Sequence, residues 1–461
     1  MLPLASSTIS LRRQFWIAAI LLLAAASLCS AQTESVLARF NARSDGAGPR
    51  GGLIADSAGN LYGTTSWGGD GTSQVCRNGL VGDCGTVFEL SPPAPGSGKW
   101  TETVLHRFTT IPDGSYPVGN LVMDSAGNLY GTTASGGDSQ NHGIIYQVSP
   151  PAVAGDPWTE TVIYRFSGPD GQTPSAGLVI DASGNLYGTT SYGGICGLGT
   201  AFELSPPVTQ GGAWTQQVIH NFRRRCNGHV SNDGAAPLAG LAIGPGGTLL
   251  GTTEAGGQYD YGTAFALVPP HGGILTWTEK VIYNFTGASD GRFPLAGLAI
   301  DHGNAYGTTA YGGDGTCTYE FSGCGVVFQL TPAGPGNSWI LTTIYTFTGS
   351  FDGQNPFAGV ILDKKGNVFG TTTGGGNTNC NDNYSVGCGV VYEVSPPVNA
   401  GDPWTQSTLY AFTGDVDGRM SVAPLVIGKS GALYGTSFSG GNMQCTDYGS
   451  AGCGTVFKVV P

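Results

Sequence analysis

Aspartate followed by glycine recurs at regular intervals, and these carboxylates are the side chains whose type and spacing most readily suggest chemistry. The seven residues are Asp45, Asp113, Asp170, Asp233, Asp290, Asp352 and Asp417. Clustered carboxylates could bind a cation such as calcium or accept hydrogen bonds from sugar hydroxyls. The same pair also builds tight turns, because aspartate accepts backbone N–H bonds and glycine tolerates positive φ. Its use in every repeat favours the turn, so we expect no cofactor and no metal, with a structural cation such as calcium as the alternative.

Three large aromatic residues occupy one position, directly before a Gly-Gly pair. They are Trp67, Tyr192 and Tyr311. The equivalent residues in three other repeats are small, namely Ser135, Ala255 and Gly374. A fold that accepts small residues here does not require the rings, so they could stack on sugar rings with nearby Asp and Asn binding the hydroxyls. The alternative interpretation is that they pack against a disulfide in the same loop.

A catalytic constellation is not evident. The six histidines are scattered, and His106 and His220 occupy a strand position that is tyrosine in most other repeats. No serine nucleophile elbow and no glycine-rich loop before a helix is present. Two aspartates could act as acid and base, but nothing distinguishes one pair from the others. We therefore assign no catalytic residue.

The elements that position these residues belong to a sequence unit that occurs seven times. Its most regular string, Gly-Asn-Leu-Tyr-Gly-Thr-Thr at 59–65, returns at intervals of 56 to 68 residues. Each unit contains four strand-like runs, separated by Gly-, Pro- and Asn-rich turns. Four short antiparallel strands per unit are typical of a β-propeller, in which each sheet packs against its neighbours.

The two ends of the repeated region are complementary. Residues 35–40 match a fourth strand without the first three, and residues 454–460 match a third strand without the fourth. We therefore predict an all-β, seven-bladed propeller of four-stranded antiparallel blades, closed by an N-terminal strand that completes the last blade. In such blades the loops after strands two and four share one face, which carries the aspartates and the aromatic residues.

The cysteines indicate disulfides. Four close pairs, separated by seven or eight residues, are Cys76/Cys84, Cys317/Cys324, Cys380/Cys388 and Cys445/Cys453. This spacing differs from a zinc knuckle, and no histidine lies nearby in the sequence to complete a metal site. We predict that Cys196 and Cys226, which follow strands two and four of the third unit, form a fifth bridge.

The first segment predicts export. Arg12 and Arg13 precede an apolar run from Phe15 to Ala26, which is typical of a signal peptide at 1–31 followed by one domain at 32–461. Because this segment contains two arginines and no acid, the formal charge of −12 becomes −14 after cleavage. An acidic chain argues against nucleic acid as a partner. We expect a monomer without a membrane span in the mature chain, located extracellularly or in the periplasm.

The Gly-Asn-Leu-Tyr-Gly-Thr-Thr string, the Gly-Thr-Val-Phe-Glu-Leu strand at 85–90 and the Trp-Thr-Glu-Thr-Val-Leu strand at 100–105 together resemble the GloVer (Gloeo/Verruco) tandem-repeat family. The resemblance covers about residues 35–461. It implies an exported bacterial repeat protein and assigns no activity or catalytic residue.

Three hypotheses for function remain open. The first is a secreted, non-enzymatic binding or scaffold protein that recognises glycans or proteins on its loop-rich face. The second is an extracellular lyase or hydrolase that acts on polysaccharide, with aspartates at the channel mouth. The third is a structural component of a surface layer.

Overall fold

The computed structural model describes residues 33–461 except 43, 70–83, 154, 210, 227–228, 231, 314–316, 318–321, 335–338, 378–379, 381–385, 400 and 446–451. The chain divides into two units, Met1–Thr33 and Glu34–Pro461, and the second contains the propeller. The described part of the second unit is built from strands, with one 3-10 turn at Pro245–Gly247. No helix among the described residues has the length and apolar character needed to cross a membrane.

Seven four-stranded antiparallel sheets form the blades. Given from the first to the fourth strand, the first three blades are Ile54–Ala55, Leu61–Thr65, Thr86–Ser91 and Thr101–Arg107 (blade 1); Val122–Met123, Leu129–Thr133, Ile144–Ser149 and Thr159–Arg165 (blade 2); and Val179–Ile180, Leu186–Thr190, Thr200–Ser205 and Thr215–Asn221 (blade 3). The next two are Ala242–Ile243, Leu249–Thr253, Thr263–Val268 and Thr278–Asn284 (blade 4); and Ala299–Asp301, Asn304–Thr309, Val326–Pro332 and Trp339–Thr346 (blade 5). The last two are Ile361–Leu362, Val368–Thr371, Val390–Ser395 and Thr405–Ala411 (blade 6); and Val426–Ile427, Leu433–Ser437, Thr455–Val460 and Thr33–Arg39 (blade 7). Two short ribbons pair Arg225–Cys226 with His229–Val230 and Gly234–Ala235 with Ala255–Gly256.

The ring is closed by its first strand. Thr33–Arg39 is hydrogen-bonded to Thr455–Val460 and becomes the outer strand of the seventh blade. The N–H of Phe40 donates to the carbonyl of Gly454 at 3.2 Å, and that of Gly48 donates to Cys453 at 2.8 Å. The predicted closure of the propeller is therefore confirmed.

Aromatic pairs between blades form the core. The phenylalanine that follows each fourth strand packs edge to face on an aromatic residue in the third strand of the next blade. The pairs are Phe40–Phe88, Phe108–Tyr146, Phe166–Phe202, Phe222–Phe265, Phe285–Phe328, Phe347–Tyr392 and Phe412–Phe457, with ring centroids 4.9 to 5.3 Å apart. Because the contact is repeated at all seven junctions, these aromatic residues serve packing.

The Gly-Thr-Thr end of the repeated string is explained by its hydrogen bonds. In the third blade the Thr189 hydroxyl donates to the carbonyl of Ala239 in the fourth blade at 2.9 Å. The Thr190 and Thr200 hydroxyls lie 2.9 Å apart and join the second and third strands. A Cβ on Gly188 would lie 2.7 Å from the ring of Phe202, so only glycine fits there. Each of these three positions of the string is therefore explained by a contact within the fold.

Three of the predicted disulfides lie within the described residues. Cys317–Cys324, Cys380–Cys388 and Cys445–Cys453 are bonded, which confirms these pairs. Cys84 and Cys196 are also disulfide-bonded. Cys76 and the side chain of Cys226 lie outside the described residues, so their pairings stay predictions.

Candidate functional site

The Asp-Gly loops and the loops after the second strands meet on one face, which we call the loop-rich face. In every blade the second residue after the aspartate makes an antiparallel bridge to the residue at the predicted aromatic position. The bridges are Ala47–Trp67, Ser115–Ser135, Gln172–Tyr192, Ala235–Ala255, Arg292–Tyr311, Gln354–Gly374 and Arg419–Ser439. Tyr192 and its equivalents are thus held by backbone hydrogen bonds rather than on free loops.

The Asp-Gly loops lead into the first strands, which line a channel of about 400 Å³. Small residues let the first strands approach one another, and a Cβ on Gly240 would lie 3.0 Å from the carbonyl oxygen of Gly177. The channel lining is apolar apart from Arg50, Asn120 and Ser175. The wall therefore offers few polar side chains, and its polar surface comes mainly from the backbone.

The seven Asp-Gly loops share a backbone position with positive φ. The third residue after the aspartate has φ between 52° and 62° in all seven blades, and only one of the set is glycine: Gly48, Tyr116, Thr173, Ala236, Phe293, Asn355 and Met420. A left-handed non-glycine residue costs on the order of 1 kcal/mol and persists only where its surroundings enforce it. The strained backbone sets the direction of the side chains around the mouth.

The carboxylates of the predicted aspartates turn towards their own loops. Asp290 accepts hydrogen bonds from the Tyr283 hydroxyl at 3.0 Å and from the Thr286 N–H at 2.8 Å. Asp45, Asp113, Asp170, Asp233, Asp352 and Asp417 likewise accept a backbone N–H bond close to the end of the preceding strand. These bonds support the turn interpretation. A ligand role for these aspartates stays a prediction.

The acidity of these carboxylates differs between blades. Burial raises the pKa of Asp113, but hydrogen bonds from His106 and Thr109 outweigh burial, and the net pKa is lowered. Asp45 has a raised pKa, because burial outweighs its backbone hydrogen bonds. Ala38 stands where other blades supply a tyrosine or histidine donor to the aspartate. The lowered pKa of Asp113 thus goes with the His106 donor that Asp45 lacks.

A row of glutamates lies on the fourth strands, against the Asp-Gly loop of the preceding blade. Burial raises the pKa of Glu102 to about 8 and those of Glu34, Glu160 and Glu279 to about 7. One carboxylate oxygen of each is buried without a hydrogen-bond partner. Sequence reasoning missed this row, although a glutamate at the second position of four fourth strands was visible.

The three predicted aromatic residues have different surroundings. Tyr192 is 56% exposed. The ring of Trp67 lies 5.1 Å from that of Phe438 and 6.1 Å from that of Tyr116. The exposed guanidinium group of Arg50 lies 4.6 to 5.6 Å from the centroids of all three rings. Trp67 therefore belongs to an arginine–aromatic cluster, which we call the Arg50 cluster.

Tyr311 belongs to a similar group in the fourth to sixth blades, the Arg292 cluster. Its ring lies 6.2 Å from that of Phe293 and 5.9 Å from that of Phe357. The Arg292 guanidinium lies 5.6 Å from the Tyr261 ring and 5.9 Å from the Phe293 ring, within the range of a cation–π interaction. Sequence reasoning found Tyr311 and missed its neighbours, which come from other loops.

The chain is similar to several solved structures at low identity. A Thermus thermophilus protein assigned as an oxidoreductase (glucose dehydrogenase) is 12% identical, with 93% of this chain and 100% of that chain covered and a TM-score of 0.40. A Bacteroides uniformis protein assigned as a 6-phosphogluconolactonase is 14% identical, with 78% and 85% covered and a TM-score of 0.44. A luciferin-regenerating enzyme is 10% identical, with 93% and 95% covered and a TM-score of 0.35. At these values we transfer no activity from them.

No curated protein sequence matches the chain. The model of the Gloeobacter/Verrucomicrobia repeat matches residues 26–225 and 72–319, which together span more than half of the sequence. The matched region includes the Asn-Leu-Tyr-Gly-Thr-Thr strings whose structural roles are described above. The chain belongs to the Gloeobacter/Verrucomicrobia repeat family.

Proposed function

We propose that the protein is an exported, non-enzymatic binding protein that recognises glycans on its loop-rich face. The observation that carries the proposal is Tyr192, a large aromatic side chain that is 56% exposed although its backbone is paired with Gln172. A ring held in water by a fixed backbone suits stacking on the apolar face of a sugar, because little ordering is needed on binding.

The arginine–aromatic clusters would extend the binding surface around the channel mouth. Arg50 is exposed and lies over three rings, so its guanidinium keeps donors free for hydroxyl or carboxylate oxygens. Arg292 donates to the carbonyl of Ser322 at 2.8 Å and is therefore more constrained. We expect Arg50 to contribute more to binding than Arg292.

Two further features support export and a binding role. The three disulfides within the described residues would persist in an oxidising compartment. The carboxylates at the channel mouth are engaged in turns, and Asp113, Asp290 and Asp417 are less than 10% exposed. A carboxylate with its lone pairs occupied is poorly placed to act as acid or base on a substrate.

A glycan array, followed by affinity measurement on the best ligand, tests the proposal. Tyr192→Ala should weaken binding at least about tenfold, by the loss of one stacked ring. The control is Leu275→Ala, since Leu275 is 89% exposed but lies in the loop after a third strand, outside the loop-rich face. Equal affinity of Tyr192→Ala and the parent protein would exclude this site. Release of sugar products that stops on one Asp→Asn change would instead indicate the polysaccharide enzyme.

A further inference from the structure

The third blade departs from the repeat at several positions that lie close together. His220 occupies the place of the tyrosines at 164, 283, 345 and 410. Arg223 replaces the serine or threonine that follows the strand-ending phenylalanine in five other blades. Asp233 follows His220 by 13 residues, whereas the equivalent interval between His106 and Asp113 is 7. In a repeat protein, such departures mark positions that the fold alone does not explain.

Two of these residues meet a third from the next blade. Nε2 of His220 lies 3.1 Å and 3.4 Å from the two carboxylate oxygens of Asp233. Glu279, on the fourth strand of the fourth blade, completes a group whose ligand atoms all lie within 4.8 Å of one another. Within the part of the chain that the structure describes, no other group of three His, Cys, Asp or Glu side chains meets this distance.

Glu279 is the least satisfied member of the group. Its Oε1 is buried and has no hydrogen-bond partner. In the third and sixth blades a glutamine takes this position, and the Nε2 groups of Gln216 and Gln406 donate to the carbonyls of Asp170 and Asp352 at 3.4 Å. An ionised glutamate cannot donate this hydrogen bond. The buried Oε1 of Glu279 therefore still needs a hydrogen-bond donor or a positive charge beside it.

Asp233 also differs from its equivalents. In five blades a hydroxyl donates to the aspartate, as Thr109 does to Asp113 at 2.6 Å. Arg223 has no hydroxyl; its backbone N–H donates to Asp233 at 2.9 Å, and the N–H of Gly234 donates to the same carboxylate at 2.8 Å. Asp233 is therefore held by backbone N–H groups and by His220, whereas Asp113 also accepts a hydrogen bond from a threonine hydroxyl. The first and second blades contain a group of the same three residue types, namely His106, Asp113 and Glu160. The ligand atoms of this second group do not all lie within 4.8 Å of one another.

We propose that His220, Asp233 and Glu279 bind a first-row divalent transition metal such as Zn²⁺ between the third and fourth blades. One imidazole nitrogen and two carboxylate oxygens form a three-ligand set that leaves a coordination position for water. The imidazole favours such a metal over Ca²⁺, which prefers oxygen ligands alone. The side chains of His220 and Asp233 are 18% and 10% exposed, so an ion can reach them.

The proposal is tested with full-length protein prepared without a polyhistidine tag and treated with a chelator. Zn²⁺ is titrated in competition with a chromophoric chelator, and Co²⁺ is titrated to record its visible absorption. We expect one equivalent of either metal. His220→Tyr and Glu279→Gln should each weaken binding at least about 100-fold. His106→Tyr and Glu160→Gln are the matched controls and should leave the affinity and stoichiometry unchanged.

The variants carry residues that other blades already use, so we expect them to fold. Circular dichroism and the urea midpoint of the metal-free protein check this. Unchanged Zn²⁺ affinity in folded His220→Tyr, or in Glu279→Gln if the first variant fails to fold, would overturn the proposal. So would an equal loss of binding in His106→Tyr. The glycan proposal does not depend on this result, because Tyr192 is not part of the group.

Discussion

Replacement of Glu102 by glutamine should remove part of the pH dependence of stability. Glu102 lies in the fourth strand of the first blade, and its Oε1 is buried without a partner. Burial, together with the charge of Asp45, raises its pKa from 4.5 to about 8. Glutamine occupies the same position at 216 and 406, where its side chain donates to the neighbouring blade. The fold therefore already accommodates the substituted side chain.

The sign follows from the direction of the pKa change. The folded state binds the proton of Glu102 more tightly than the unfolded state, so its contribution to stability is complete below pH 4.5. That contribution is lost as the pH rises to about 8. The change in pKa sets a ceiling of about 5 kcal/mol. Because the side chain is only partly buried, solvent screening reduces the expected loss to roughly 1–3 kcal/mol.

Urea denaturation followed by tryptophan fluorescence, at pH 5 and at pH 9, measures the effect. We expect Glu102→Gln to unfold at higher urea than the parent at pH 9 and at nearly the same concentration at pH 5. Glu89→Gln is the control, because the Glu89 carboxylate accepts a hydrogen bond from Ser91 at 3.0 Å. The same pH dependence in Glu102→Gln and the parent protein would refute the reasoning.

Two other substitutions test the fold. Phe40→Ala should reduce the unfolding free energy by about 3–5 kcal/mol in urea, because the ring is fully buried against Phe88 across the closure. A loss below about 1 kcal/mol would show that the last blade does not depend on this strand. Asp181→Ala should cost roughly 1–3 kcal/mol and lower the melting temperature, because its carboxylate accepts bonds from the backbone N–H groups of Ser183 and Asn185 and from the side chain of Asn185. Asp402→Ala is its control, since Asp402 is an exposed loop residue, and an equal effect of both substitutions would contradict a role for the turn.

The fold could be predicted from the sequence because residue types that recur at one position of every unit indicate a packing contact in every blade. A residue type found at one position of all seven units, such as the phenylalanine ending each fourth strand, must satisfy a contact that every blade makes. The unpaired ends of the repeat then predicted closure. Each of these inferences needs only the position of a residue within its own unit.

The candidate site was less predictable because its contacts join different units. Trp67 was a candidate for stacking on a sugar, with packing inside its loop as the alternative, and Phe438 and Arg50, from the seventh unit and its loop, lie against it. Tyr192, by contrast, is 56% exposed. Likewise, His220 and Glu279 come together only through the geometry between adjacent blades. The position of a residue within its own repeat does not show which side chain of another blade packs against that residue.

The closure strand also has a consequence for the order of folding. Thr33–Arg39 is synthesised before every other described strand, yet its partner, Thr455–Val460, is synthesised last. A nascent chain can assemble the six blades made from contiguous sequence, but Thr33–Arg39 has no partner until Thr455–Val460 has been synthesised. Closure of the ring is therefore a long-range docking event that waits for the last described strand, and during this interval the early strand is exposed to chaperones, proteases and other chains.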